Sequence, residues 1–144
     1  MSVKDILAAK GSSVETIRGD ATVPLALHKL ASLRIGAIVV SPDGETVAGV
    51  VSEGDIVRAL SHHGARLLDL KVSDVMVKGG PVCAPGDSIT AVMVEMTRTR
   101  SRHLPVVDGG RLIGIISLGD VVKKRLDDLE METAVLRETW IARR

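Results

Sequence analysis

The chain contains one stretch of sequence twice. Gly49-Val-Val-Ser52-Glu-Gly-Asp55-Ile-Val returns as Gly114-Ile-Ile-Ser117-Leu-Gly-Asp120-Val-Val, an offset of 65 residues from 49 to 114. Upstream, Ile38-Val-Val40 matches Leu104-Pro-Val106, and Val23, Leu27 and Leu30 match Ile89, Met93 and Met96, both at an offset of 66. Near the start, Lys4-Asp5-Ile6-Leu7 resembles Ser73-Asp74-Val75-Met76. Four matches in one order mark an internal duplication, so the fold is two copies of one unit.

Each copy reads as β-α-β-β-α. The runs Val14–Ile17 and Pro81–Ala84 end in the turn signals Gly19-Asp20 and Gly86-Asp87 and are expected to be short strands. Thr22 and Ser88 are suited to cap the helices that follow, because a short side-chain oxygen can accept a free first-turn amide. Those helices are expected to end near Ile35 and Arg100. Pro24 falls in a first turn, where its missing N–H costs little. Ala37–Val40 and Val47–Val51 flank Pro42-Asp43-Gly44, and Leu104–Val107 and Leu112–Ile116 flank Asp108-Gly109-Gly110, each pair reading as a hairpin. A final helix starts near Glu53 and near Leu118. Strands apolar on both faces predict sheets covered on both sides. One copy of about 60 residues buries its faces poorly alone, so the two are expected to pack about a pseudo-twofold axis. The fold class is α/β in its α+β form. Residues 1–64 form the first copy, 65–126 the second, and 127–144 a C-terminal helix, with Leu129, Leu136 and Trp140 near one stripe for packing or a dimer contact. His62-His63-Gly64 reads as a helix exit.

Composition narrows the function. Lys+Arg is 19 and Asp+Glu is 18, a formal net charge of +1, which disfavours binding nucleic acid by bulk charge. There is no Phe or Tyr and one Trp, so platforms for base stacking are nearly excluded. One cysteine, Cys83, allows no internal disulfide or cysteine-cluster metal site and reads as a small apolar residue. Residues 1–13 do not read as a secretory signal, and no run of 18 apolar residues suggests a membrane span, so the expected location is cytoplasmic. No nucleophile–base pair, metal cluster or phosphate-binding P-loop is legible, so neither a catalytic residue nor a metal ligand is expected.

The doubled motif has a chemistry of its own. Ser52 precedes Asp55 by three residues, as Ser117 precedes Asp120, which is the spacing of a helix capping box. The same helix start also suits a phosphate, because its free N–H groups and dipole favour negative charge. A serine hydroxyl adds a bond to phosphate or sugar, and a carboxylate can accept from two vicinal ribose hydroxyls. Gly49 and Gly114 leave space for a ligand or for an opposite strand.

With His103-Leu-Pro-Val-Val-Asp-Gly-Gly and Val72-Ser-Asp-Val-Met, these motifs resemble a tandem pair of CBS domains, the regulatory modules named after cystathionine β-synthase, over about Val3 to Leu126. The resemblance implies two clefts that hold adenosyl ligands such as AMP, ADP, ATP, NAD or S-adenosylmethionine. By matching positions it gives Ser52, Asp55, Ser117 and Asp120 the phosphate and ribose contacts. It lines the adenine sites with Thr16, Ile17, Ala37, Ile38 and Val39 in one copy and with Val82, Cys83, Ala84, His103, Leu104 and Pro105 in the other. It also implies a homodimer that signals to an effector protein. Gly36-Ala37 in the first copy stands where the second has Arg102-His103, so only the second cleft offers cationic side chains from that edge and is expected to be the tighter site. The alternative is a structural dimerisation adaptor with empty clefts.

Overall fold

The computed structural model describes residues 1–142. Six helices, six short strands and one 3₁₀ segment follow the doubled pattern. In the first half, β1 (Thr16–Ile17) leads to α2 (Val23–Leu33), β2 (Ala37–Val40), β3 (Gly49–Ser52) and α3 (Glu53–His63). In the second half, α5 (Ile89–Thr99) leads to β5 (His103–Asp108), β6 (Arg111–Ser117) and α6 (Leu118–Ala142). The helices α1 (Val3–Lys10) and α4 (Val72–Val75) open the two halves.

The helix starts are as expected. Thr22 accepts from the Leu25 amide at 3.3 Å and Ser88 from the Ala91 amide at 3.0 Å. The helices end at Leu33 and Thr99, just before Arg34 and Arg100, the two non-glycine residues at positive φ among those described. The duplication therefore extends to backbone conformation.

Both hairpins form. β2 runs antiparallel to β3 and β5 to β6, the second pair carrying an irregularity between Val106 and Val107. β1 lies parallel to β2, with Ile17 opposite Val40. The run Pro81–Ala84 forms only a single bridge, Cys83 to Val106. A fourth strand not expected from sequence, β4 (Val77–Lys78), pairs with β3. Its partner residue explains Gly49: any Cβ there would collide with the Val77 carbonyl, so a strand rather than a ligand uses the space. At Gly114 the space is taken by the Leu7 methyls.

Each half has its own core. Ile17, Val23, Leu30, Ile38, Val51 and Ile56 form one; Ile89, Met96, Leu104, Ile116 and Val121 belong to the other. The opening helices are exchanged. Val3, Ile6 and Leu7 of α1 complete the second core, where the Val3 amide donates to the Asp87 carbonyl at 3.0 Å. Val72 of α4 completes the first, its amide donating to the Ala21 carbonyl at 2.8 Å. The sequence spans 1–64 and 65–126 are thus each finished by the other's opening helix. The expected separate tail helix is instead the continuation of α6, unbroken through 25 residues; Arg143 and Arg144 lie outside the described residues. No described helix is long and apolar enough to cross a membrane.

Candidate functional site

The two Ser-x-x-Asp motifs stand where β3 enters α3 and where β6 enters α6, and both are closed capping boxes. In the first, Asp55 Oδ2 accepts from the Ser52 amide and hydroxyl, each at 2.8 Å, while Ser52 Oγ accepts from the Asp55 amide at 3.2 Å. Arg58 Nη2 fills Asp55 Oδ1 at 2.7 Å, so both oxygens of this buried carboxylate are engaged. In the second, Asp120 Oδ2 accepts from the Ser117 amide at 2.8 Å and from Lys10 Nζ at 2.7 Å. Among the described residues no protein donor meets Asp120 Oδ1.

Lys10 escaped the sequence reading because it lies 110 residues from Asp120. It sits at the end of α1 and also donates to the Ile115 carbonyl at 3.0 Å, so the exchanged helix delivers a cation to the second motif. Burial pushes the Asp120 carboxyl up, but the Lys10 ammonium and the Ser117 amide together outweigh it and hold it below the ordinary value.

The starts of the two hairpins meet across the halves. A Cβ on Gly36 would lie 2.9 Å from the His103 ring, so the missing side chain in one copy makes room for the imidazole of the other. The Gly36 carbonyl accepts from the Glu53 amide at 3.0 Å and the Arg102 carbonyl from the Leu118 amide at 2.8 Å, tying each hairpin to its following helix. Burial lowers the His103 pKa below 6.5; Asp120 and Glu53 oppose this, and Lys10 and Arg102 reinforce it. The folded chain therefore rejects a proton that the unfolded chain accepts. Stability is full above about pH 6.5 and declines as pH falls towards the lower folded value. His103→Gln is expected to flatten this decline, read as melting temperature from pH 7.5 down to 5; an unchanged slope would remove His103 as its source.

Beside this junction lies an open recess of about 650 Å³, within the range of small-molecule sites. Arg102, His103 and Ser117 line it together with Leu118, Gly119 and Lys123 from the start of α6. Val122 and Leu126 form an apolar floor that ends at Asp127 and Glu130. Lys123 and this floor were missed because they fall on a helix face whose neighbours are set by tertiary packing.

The other expected site residues are distributed differently. Ile17, Ile38, Cys83 and Leu104 are buried core members, so their side chains are closed to a ligand, and the Cys83 amide and carbonyl are engaged with Pro105 and Val107. Ala37, Val39 and Pro105 are buried on the opposite strand faces, outside both core clusters. Thr16 is half-buried, while Val82 and Ala84 are exposed. Burial pushes the Cys83 thiol up to about 12, and its sulfur faces the Pro105 carbonyl at 3.6 Å, so it stays an unreactive thiol. Among the described residues no cluster of three His, Cys, Asp or Glu could hold a metal ion.

A family model for the CBS domain matches residues 3–62 and again 72–127. This chain belongs to the CBS-domain family. As a CBS pair it superposes on the crystal structure of the CBS-domain containing protein ATU1752 from Agrobacterium tumefaciens with a TM-score of 0.83 and 41% identity, over 87% of this chain and 99% of that one. It is 31% identical over 130 residues to the mitochondrial CBS domain-containing protein CBSX3 of Arabidopsis thaliana, covering 85% of this chain and 63% of that relative's length. The CBS domain pair of protein MJ0100, solved with 5′-methylthioadenosine and S-adenosyl-L-methionine, shares the fold at a TM-score of 0.78 and 19% identity, over 89% of this chain and 98% of that one.

Proposed function

We propose that this CBS pair is a regulatory module that binds an adenosine-containing ligand at the second motif and signals by a change in the arrangement of its halves. The recess beside Ser117 carries this reading. Its cationic end joins Arg102 and Lys123 to the first turn of α6, a setting that favours phosphate, while His103, whose pKa burial lowers, stands beside them as an uncharged hydrogen-bonding ring rather than the cation expected from sequence. Two of the first three amides of that turn are already committed, Leu118 to the Arg102 carbonyl and Asp120 to Ser117 Oγ, which leaves the Gly119 amide in the recess lining for the ligand. The apolar floor suits a base without aromatic stacking. The open Oδ1 of Asp120 is the atom offered to a ribose hydroxyl, while Oδ2 stays in the cap. The MJ0100 pair, bound to two adenosyl compounds, supports the ligand class. AMP, ADP and ATP fit the cationic end best, with NAD and S-adenosylmethionine as alternatives. The partner that reads the signal is an effector protein, and the role is regulatory rather than catalytic.

A second reading, a dimerisation adaptor that binds no nucleotide, draws on the first motif, where both Asp55 oxygens are engaged. A thermal-shift screen with AMP, ATP, NAD and S-adenosylmethionine separates the two. A ligand of the folded state at 100 times its Kd adds about 2.7 kcal/mol, several degrees in melting temperature. No shift with any of the four at millimolar concentration would leave the adaptor.

A further inference from the structure

The first turns of α6 lie on the second core, with Val121 and Asp128 buried. From Leu129 to Ile141 every side chain is exposed. This stretch rises about 20 Å. A helix of that length without tertiary cover is marginal in water. Leu126, Leu129, Thr133, Leu136 and Trp140 recur along it at alternating steps of three and four, the a and d positions of a heptad. The leucines are 55%, 40% and 69% exposed, and a shallow groove of about 380 Å³ runs along the same face.

We propose that this segment of α6 pairs with α6 of a second copy of the chain as a parallel two-stranded coiled coil from Leu126 to Trp140. The flanking charges choose both the occupant and the direction. Arg125 and Glu132 hold g positions; Glu130 and Arg137 hold e positions. In a parallel pair each g residue meets the e residue five places further along the other helix. Arg125 then meets Glu130 and Glu132 meets Arg137, opposite charges in every case and twice over by symmetry. In an antiparallel pair e faces e: one register sets Glu130 against Glu130 and Lys123 against Arg137, and the other, with Leu129 opposite Trp140, matches Glu130 with Arg137 but sets Glu132 opposite Thr139, so the parallel pair matches the most charges. Leucine at d suits two strands. Thr133 at a enters without an orphaned hydroxyl, because its Oγ1 already donates to the Leu129 carbonyl at 3.0 Å. Leu126 and Glu130 also line the recess beside Ser117, so the pairing and the recess share a wall.

The test is disulfide trapping in the full chain without added nucleotide, which keeps its outcome independent of ligand binding. The native Cys83 is buried and unreactive, so an introduced thiol reports alone. Leu126→Cys faces its own copy in the parallel pair but lies about 15 Å or more away in either antiparallel register. Under mild oxidation at micromolar concentration it is expected to give a covalent dimer at least tenfold faster than Val135→Cys, an exposed position off the stripe. Arg137→Glu in the Leu126→Cys background should slow trapping at least tenfold, and adding Glu132→Arg should restore it. Trapping of Leu126→Cys no faster than Val135→Cys, or insensitivity to the charge reversal, overturns the proposal. Trapping only with another protein present would also overturn it.

Discussion

Gly49→Ala is expected to cost about 3 kcal/mol, and Gly114→Ala only about 1 kcal/mol, although the two glycines are equivalent in the repeat. The difference lies in what each new methyl meets. At position 49 it meets the Val77 carbonyl, with the Met76 sulfur 3.2 Å away. That carbonyl is backbone of β4, held in register by the pairing of Gly49 with Lys78 and Val50 with Val77. It moves only if the edge strand leaves the sheet. At position 114 the methyl meets the Leu7 Cδ2 at 2.7 Å, the end of a side chain that can change rotamer. Urea unfolding of the two variants reads the difference directly, and the larger loss corresponds to a drop of roughly 10 °C in melting temperature. Equal costs, or a greater cost at Gly114, would mean that β4 does not hold its place on β3.

Asp120→Asn is expected to weaken binding of fluorescently labelled ATP at least tenfold, and Asp55→Asn less than threefold. The asymmetry follows from the engagement of the two carboxylates. Asp55 gives one oxygen to its cap and the other to Arg58. Asp120 keeps one oxygen that no donor among the described residues meets, next in sequence to Gly119 of the recess lining. Asparagine preserves shape and leaves an oxygen to accept the Ser117 amide, so the cap survives while the charge is lost. Losing a hydrogen bond made with a charged acceptor costs about 1.5–3 kcal/mol, or roughly ten- to a hundredfold in affinity. Equal losses in the two variants would remove the ranking of the sites, and the order reversed would move the proposed ligand to the first motif.

Much of the architecture was legible because it is local. A helix start needs a short oxygen side chain and a free amide three residues on, and Thr22, Ser52, Ser88 and Ser117 announce theirs. Hairpins need apolar runs around a turn, and both are where the runs are. The Arg102-His103 departure from Gly36-Ala37 was also legible, although not that Gly36 and His103 touch. β4 was not: two exposed residues show no period, and their pairing depends on a missing side chain in another strand. Helix was legible both from Leu118 and over the tail, but not that the two are one unbroken α6, because its core-facing stripe runs out while its helical propensity continues.

The helix–hairpin–helix order of each copy, the doubled cap and the Arg102-His103 edge of one copy were determined by the sequence alone, because backbone preference and hydrophobic period act between near neighbours. Which core each opening helix completes was decided only by the tertiary structure. The two copies are so alike that either core offers α1 an apolar seat, and burial does not depend on chain order. That choice sets Lys10 on Asp120 and Leu7 under Gly114, and so makes the two halves of a repeated chain chemically unequal.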